Sequence, residues 1–161
     1  MIGRAVGGKD ISAVVIDTHA GPKELYFGDI DHDKKDDKNE NLYTNQIASL
    51  GNKNIDNLIL LGCNAGHLDY KYTNVAAAFS KKTNGGYVMA SDGTVGDEFF
   101  GCYLSADDDT FQDYCNRRRY NEDCTAYNEG WIIYQNINNK VHINNTGLYN
   151  ISIKQMLNAM K

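Results

Sequence analysis

Long apolar runs are missing from this 161-residue chain. No stretch of about 18 apolar residues predicts a membrane-spanning helix, and the N-terminus lacks the basic-then-apolar pattern of a signal peptide. Basic charge is also scarce, because 16 Lys and Arg stand against 21 Asp and Glu, for a formal net charge of −5. Phosphate binding depends on clustered Lys and Arg, so we expect a soluble protein without a nucleic-acid partner.

Cysteine is limited to four residues, and none forms a C-x-x-C pair. That spacing argues against a zinc ribbon and against a thioredoxin-type redox pair. Cys115 and Cys124 could form a disulfide in a secreted protein, although free buried thiols are the simpler expectation. No linker or repeat divides the chain, so we expect one domain over residues 1–161. Residues 1–8 resemble a truncated or tag-like leader more than a structural element, which favours excision from, or truncation relative to, a larger protein.

Strands and helices are predicted to alternate along the first 90 residues. Residues 11–17 and 55–61 are short aliphatic runs typical of buried strands, and residues 87–90 predict a third. The apolar spacing over residues 42–50 and the Ala-rich segment 75–79 predict crossover helices. This order predicts an α/β fold with a mostly parallel sheet and right-handed crossovers.

The remaining segments carry more local signals. We predict a short strand at 24–27, a polar surface loop at 28–41, a helix or a strand at 98–104, a hairpin of 131–135 with 140–143 around Asn138-Asn139, and a helix at 152–160 capped by Ser152.

The polar loop has a partial calcium-binding pattern. Asp29, Asp31, Asp33 and Glu40 occupy positions 1, 3, 5 and 12 of an EF-hand-like register. Position 6 is Lys34, where the tight turn demands Gly, and three lysines offset the negative charge. A plain surface loop is the simpler interpretation, with Ca²⁺ binding as the alternative. We expect that the protein requires no cofactor and no metal.

A reactive side chain follows each of two predicted strands. His19 follows the strand that ends at Asp17, and Cys63 follows the strand that ends at Leu61. Chemistry in open α/β sheets gathers at the carboxyl ends of the strands. If the two strands are neighbours, His19 and Cys63 meet at one edge as a base and a nucleophile.

Small residues surround both side chains and let backbone N–H groups approach a substrate. The oxyanion of an acyl-transfer intermediate needs such donors. We assign them to the amide of Cys63 and to the backbone at Ala20, Gly21 and Gly62.

Two motifs resemble those of caspase-like (clan CD) cysteine peptidases. They are Thr18-His19-Ala20-Gly21 and the block from Asn57 to Gly66, in the family's order of histidine before cysteine. The nearest members are bacterial: clostripain-like peptidases, self-cleaving protease domains of large secreted toxins, and caspase-like domains of surface proteins. The resemblance covers residues 14–92. It implies a three-layer sandwich with a mostly parallel central sheet and a protein or peptide substrate, including the parent chain. It also implies a location in the bacterial cytoplasm or within a delivered or secreted protein.

Asp92 ends the segment after the third predicted strand and would point from the same sheet edge. In clostripain-like relatives an acidic residue in this region lines the pocket for the substrate's first side chain. The resemblance therefore implies that Asp92, with Ser91 beside it, selects Arg or Lys. A turn aspartate before Gly93 is the alternative. A basic preference would also make the three arginines at 117–119 a candidate self-cleavage site.

One residue departs from the family pattern, in which the histidine is usually followed by glycine. Ala20 stands between His19 and Gly21 here, which supports a second hypothesis: a weakened or inactive caspase-like binding module. A nucleophile elbow of the glutaminase or thioesterase type is disfavoured, because Leu61 and Ala65 occupy its glycine positions. His67 lacks the further ligands of a metal site and is predicted to face solvent or the substrate rim.

Overall fold

The computed structural model describes residues 10–27, 40–93, 95–98, 103–106 and 129–161. In chain order the elements are β1 (Val14–Asp17), β2 (His19–Gly21), β3 (Glu24–Tyr26), β4 (Asn41–Tyr43), α1 (Thr44–Ser49), β5 (Asn57–Leu61), a 3-10 turn (Leu68–Tyr70), α2 (Val75–Ser80), β6 (Tyr87–Ser91), β7 (Val95–Glu98), β8 (Tyr103–Ala106), β9 (Trp131–Ile137), β10 (Lys140–Asn145), β11 (Asn150–Ile151) and α3 (Ile153–Ala159).

Five strands form the main sheet, in the order β1-β5-β6-β9-β10. β1, β5 and β6 run parallel, whereas β9 is antiparallel to β6 and β10 is antiparallel to β9. The prediction of an α/β fold is confirmed. The sheet is mixed, because the predicted hairpin joins the parallel strands as an antiparallel pair. Two three-stranded sheets, β2-β3-β4 and β11-β8-β7, accompany it.

Side chains of the main sheet alternate between two hydrophobic cores. Leu58 and Leu60 of β5 pack in a core that also contains Ile47 of α1 and Val75 of α2. Ile59 and Leu61 pack in a second core, which contains Met156 of α3. Successive residues of a strand point to opposite faces, so an unbroken aliphatic run fits a strand buried on both faces. The helices therefore pack on both faces of the sheet.

The apolar spacing predicts a single helix over residues 42–50, and the structure shows a strand followed by a shorter helix. Residues 41–43 form β4, which pairs with β3, and α1 begins only at Thr44. Leu42, Ile47 and Leu50 all contact the same core, so their spacing does not distinguish a strand followed by a helix from one longer helix. The helix ends in an extended Leu50 and does not use Gly51 as a left-handed cap.

The predictions at the C-terminal end are confirmed. β9 and β10 form the hairpin, and Asn138 and Asn139 adopt φ angles of +50° and +62°, which two-residue hairpin turns require. Ser152 caps α3 by accepting a hydrogen bond from the amide of Gln155, whose side chain accepts one from the amide of Ser152.

Two other predictions fall partly or wholly outside the described residues. Of the 28–41 loop, only residues 40 and 41 are described, and Asn41 already belongs to β4. In segment 98–104, Glu98 ends β7 and Tyr103 begins β8, two antiparallel strands that favour the strand alternative. No helix in the described part of the chain is long and apolar enough to cross a membrane.

Candidate active site

The strand pairing brings the segments of His19 and Cys63 to one edge of the sheet. β1 and β5 are parallel neighbours, and their last residues, Asp17 and Leu61, are paired. His19 and Cys63 each follow two residues later, so both stand at the carboxyl ends of adjacent strands. His19 is exposed, and Cys63 is a half-buried free thiol. The two strands are therefore neighbours, as a dyad of His19 and Cys63 would require. The catalytic roles of the two residues stay a prediction.

Gly62 lies directly against the histidine segment. A Cβ atom on Gly62 would lie 2.5 Å from the Cβ of Ala20 and 2.9 Å from the carbonyl oxygen of Thr18. Carbon atoms in proteins pack at about 3.5–4.0 Å, so any larger residue would push the two segments apart. Glycine at this position therefore lets the two segments that carry His19 and Cys63 pack together.

His19 begins β2, a strand that the sequence does not predict. It is paired with Tyr26 of β3, whose carbonyl oxygen accepts a hydrogen bond from the hydroxyl of Thr18. The phenol of Tyr26 donates to a carboxylate oxygen of Glu24 at 2.6 Å. Burial, together with the Glu24 carboxylate, raises the pKa of Tyr26 to about 12, so the phenol is neutral at physiological pH. The hairpin fixes the backbone of His19.

Ala20 packs inward from the same hairpin. Its side chain lies against the core that contains Leu25 and Leu58, and its backbone is not in the left-handed region. The alanine that departs from the family pattern is thus unstrained, with its methyl group over Gly62. Gly21 likewise lacks a positive φ, and it pairs with Glu24.

The sulfur of Cys63 lies beside β7. The amide of Val95 donates to Sγ at 3.4 Å, and Sγ lies 3.8 Å from the carbonyl oxygen of the same residue. Asn64, the next residue, adopts a φ of +59°, and its amide donates to the carbonyl of Gly93 at 2.8 Å. Asparagine tolerates this left-handed geometry better than most side chains, which fits its place in a sharp turn.

Ser91 and Asp92, the predicted substrate-binding residues, are fully buried. The hydroxyl of Ser91 donates to the carbonyl of Gly93 and accepts from its amide. Asp92 accepts a backbone N–H on each oxygen, from Leu68 at 2.7 Å and from Glu129 at 2.8 Å. Desolvation raises the pKa of Asp92 to about 6, against the opposing effect of the two N–H donors. Their role in substrate selection stays a prediction.

Asn74 and Tyr134, which no sequence motif singles out, support the turn after Cys63. Asn74 is fully buried, and its Nδ2 donates to the carbonyl of His67 and to the phenol of Tyr134. Tyr134 donates in turn to the carbonyl of Gly66 at 2.8 Å. Asn74 also caps α2 by accepting from the amide of Ala77. An asparagine before an Ala-rich helix is a recognisable cap signal, but nothing local to Tyr134 predicts its partner.

His67 is largely buried, so the predicted solvent-facing position is wrong, and the alternative position at the substrate rim stays a prediction. Its side chain is 13% exposed, and its Nδ1 accepts from the amide of Asp69 and lies 4.0 Å from Asp92 Oδ1. Its ring contacts the ring of Tyr70 edge-on. Burial lowers the pKa of His67, which favours a neutral imidazole at this position.

No group of three or more His, Cys, Asp or Glu suited to a metal occurs among the described residues. Asp29, Asp31 and Asp33 of the calcium pattern lie outside them. A cavity of about 520 Å³ opens at the opposite edge of the sheet, between Asn54, Asp56, Asn84 and Met160. Neither His19 nor Cys63 lines this cavity, so it lies apart from the candidate active site.

Comparisons of the chain with family models, with curated proteins and with solved structures give no match.

Proposed function

We propose that this chain is a caspase-like cysteine endopeptidase in which Cys63 is the nucleophile and His19 the acid–base group. The parallel pairing of β1 with β5 carries the proposal, because it leaves both residues at one sheet edge. Gly62, with no side chain, allows the close packing that a dyad on two strands needs. Helices on both faces of the sheet are also what a three-layer caspase-like sandwich requires.

The proposed reaction needs no metal. Cys63 gives its thiol proton to His19, and its sulfur attacks the carbonyl carbon of the scissile peptide bond. Backbone N–H groups at Cys63 and at Ala20 or Gly21 stabilise the oxyanion. His19 then protonates the leaving amine as the C–N bond breaks, which leaves a thioester. Water attacks the thioester, and the acid product and the thiol are released.

The substrate side of the proposal depends on the resemblance alone. We include a preference for Arg or Lys before the scissile bond, and cleavage of the parent chain, because the resemblance implies them. The three arginines at 117–119 lie outside the described residues. The buried, hydrogen-bonded carboxylate of Asp92 adds no support for that preference.

A binding module without activity is the second hypothesis, and Ala20 is the residue that favours it. The observed backbone of Ala20 weakens that argument, because alanine occupies its position without a positive φ. Activity therefore remains the stronger proposal.

A thiol-directed peptide probe with arginine next to its reactive group tests the proposal. Under reducing conditions, with and without Ca²⁺, wild type should be labelled at Cys63, and the Cys63→Ala and His19→Ala variants should not. His142→Ala, which removes an exposed histidine of β10, is the matched control and should label as wild type does. Equal absence of labelling in wild type and in both variants would reject the peptidase and favour the binding module.

A further inference from the structure

A buried carboxylate joins the turn that carries Cys63 to the beginning of β9. Asp92 is fully buried, and its two oxygens accept the amides of Leu68 and Glu129. Its own amide donates to the carbonyl of Gly130 at 2.9 Å. Leu68 is five residues beyond Cys63, and Gly130 directly precedes β9, so one side chain spans two separate stretches of backbone.

The turn after Cys63 lies along the segment that follows β6. Four hydrogen bonds donated by backbone amides connect them: Val95 N to Cys63 Sγ at 3.4 Å, Asn64 N to Gly93 O at 2.8 Å, Gly66 N to Ser91 O at 2.8 Å, and Leu68 N to Asp92 Oδ1 at 2.7 Å. The Asp92 contact alone among the four is made by a side chain that also holds a third segment. Because a hydrogen bond to a charged acceptor is roughly twice as strong as a neutral one, it is also the strongest of the four.

The groups around Asp92 supply no strong counter-charge in the described part of the chain. His67 faces it from the turn at 4.0 Å with a pKa lowered by burial, and Asp69 and Glu129 are acidic. Tyr134 faces it from β9 with a pKa raised by burial. Two backbone amides therefore satisfy the carboxylate. A substrate cation would have to enter a fully covered site and compete with both.

We infer that Asp92 is a positioning residue, whose carboxylate fixes the turn of Cys63 against the beginning of β9, and that it does not bind the substrate's first side chain. This inference rests on the proposed peptidase function and concerns how the turn that carries the nucleophile of that same site is held in place. It assigns to Asp92 a role different from the one that the family resemblance implies.

Asp92→Asn is the decisive variant, because asparagine has nearly the same shape and only one acceptor oxygen. Two matched peptides, one with Arg and one with Leu before the scissile bond, separate the two roles. A displaced nucleophile lowers kcat by about 10- to 100-fold, by the same factor for both peptides, and leaves KM unchanged. Asp56→Asn, the same change on an exposed aspartate at the opposite edge, should leave both constants as in wild type.

Alkylation of Cys63 by iodoacetamide gives a second measurement that needs no peptidase activity. Between pH 5 and pH 8, the wild-type rate should include a step near the Asp92 pKa of about 6, and Asp92→Asn should lack that step. If the variant does not fold, protection of the Leu68 and Glu129 amides from hydrogen exchange replaces it. In wild type, both amides should be better protected above that pKa than below it against exchange through local opening, which breaks these two bonds and leaves Asp92 buried. The reason is that the two bonds by themselves lower the pKa of Asp92 and so favour its ionised form.

A loss confined to the Arg peptide would overturn the inference and restore Asp92 as a specificity residue. Alkylation profiles that coincide in wild type and variant, or amide protection equal at both pH values, would overturn it as well. A wild type that cleaves neither peptide rejects the proposed function, and the alkylation profiles then decide the role of Asp92 alone.

Discussion

Ala20 and Gly62 face each other where the histidine and cysteine segments meet. A Cβ on Gly62 would lie 2.5 Å from the Cβ of Ala20, so only one of the two positions has room for a methyl group. The pair fixes how closely the two segments approach, and it connects the packing of the fold to the proposed chemistry.

Gly62→Ala should destabilise the protein by about 1–3 kcal/mol, because the added methyl group overpacks the contact with Ala20 and Thr18. Urea unfolding measures the cost. Adding Ala20→Gly should recover part of it, and the double-mutant cycle gives the coupling of the two sites. Gly51→Ala, at a glycine with nothing within 4 Å of the new methyl group, is the control and should not destabilise. Additive effects of the two substitutions would contradict the contact.

Ala20→Gly alone tests whether the departure from the family pattern disables the site. Because Ala20 is unstrained, restoring glycine should not increase the rate at which the arginine probe labels Cys63. It should lower stability by about 0.5–1 kcal/mol, since glycine loses more backbone entropy on folding. Labelling that appears only after the substitution would mean that alanine had inactivated the enzyme.

Asp92 should make the stability of the protein depend on pH in an unusual direction. Its pKa is raised from 3.8 to about 6, so the folded state binds this proton more tightly than the unfolded state does. Its contribution to the free energy of unfolding is therefore full below about pH 4 and declines by about 3 kcal/mol as the pH rises past the folded pKa.

Urea unfolding of wild type and Asp92→Asn at four pH values between 4 and 7 measures this change. The difference in free energy, wild type minus variant, should fall across this range. A difference that rises with pH would show that the folded pKa is lowered instead.

Tyr134→Phe should destabilise the protein by about 1–3 kcal/mol, because it leaves the buried carbonyl of Gly66 without its donor. It also removes one acceptor from Asn74. Thermal unfolding measures the loss, and Tyr72→Phe, at a tyrosine that is 60% exposed, is the matched control with little expected effect. Equal behaviour of the two variants would mean that the network contributes no stability.

The predictable parts of the fold have local causes. The aliphatic run of β5 indicates burial on both faces, and Asn138-Asn139 and Ser152 carry turn and cap signals within a few residues. The pairing of β1 with β5 follows from the order of strands and helices, so the common edge of His19 and Cys63 could be expected from the sequence.

The parts that could not be predicted depend on contacts between distant residues. Leu42 lies in a strand only because β3 pairs with β4, although its spacing fits a helix equally well. The partners of Asp92 are 24 and 37 positions away in the chain, so no local pattern distinguishes a buried connecting carboxylate from one that faces a substrate.

The reversed direction of β9 has a consequence for how the chain tolerates change. β6 leaves the sheet at Ser91, and the antiparallel β9 enters it at the paired Trp131, at the same edge. The connection from β5 to β6, by contrast, must return along the whole sheet, because those two strands are parallel. Insertions and deletions between positions 107 and 128, after β8, should therefore leave the pairing of β6 with β9 in the main sheet intact, whereas changes of length between positions 67 and 86 should disturb the pairing of β5 with β6.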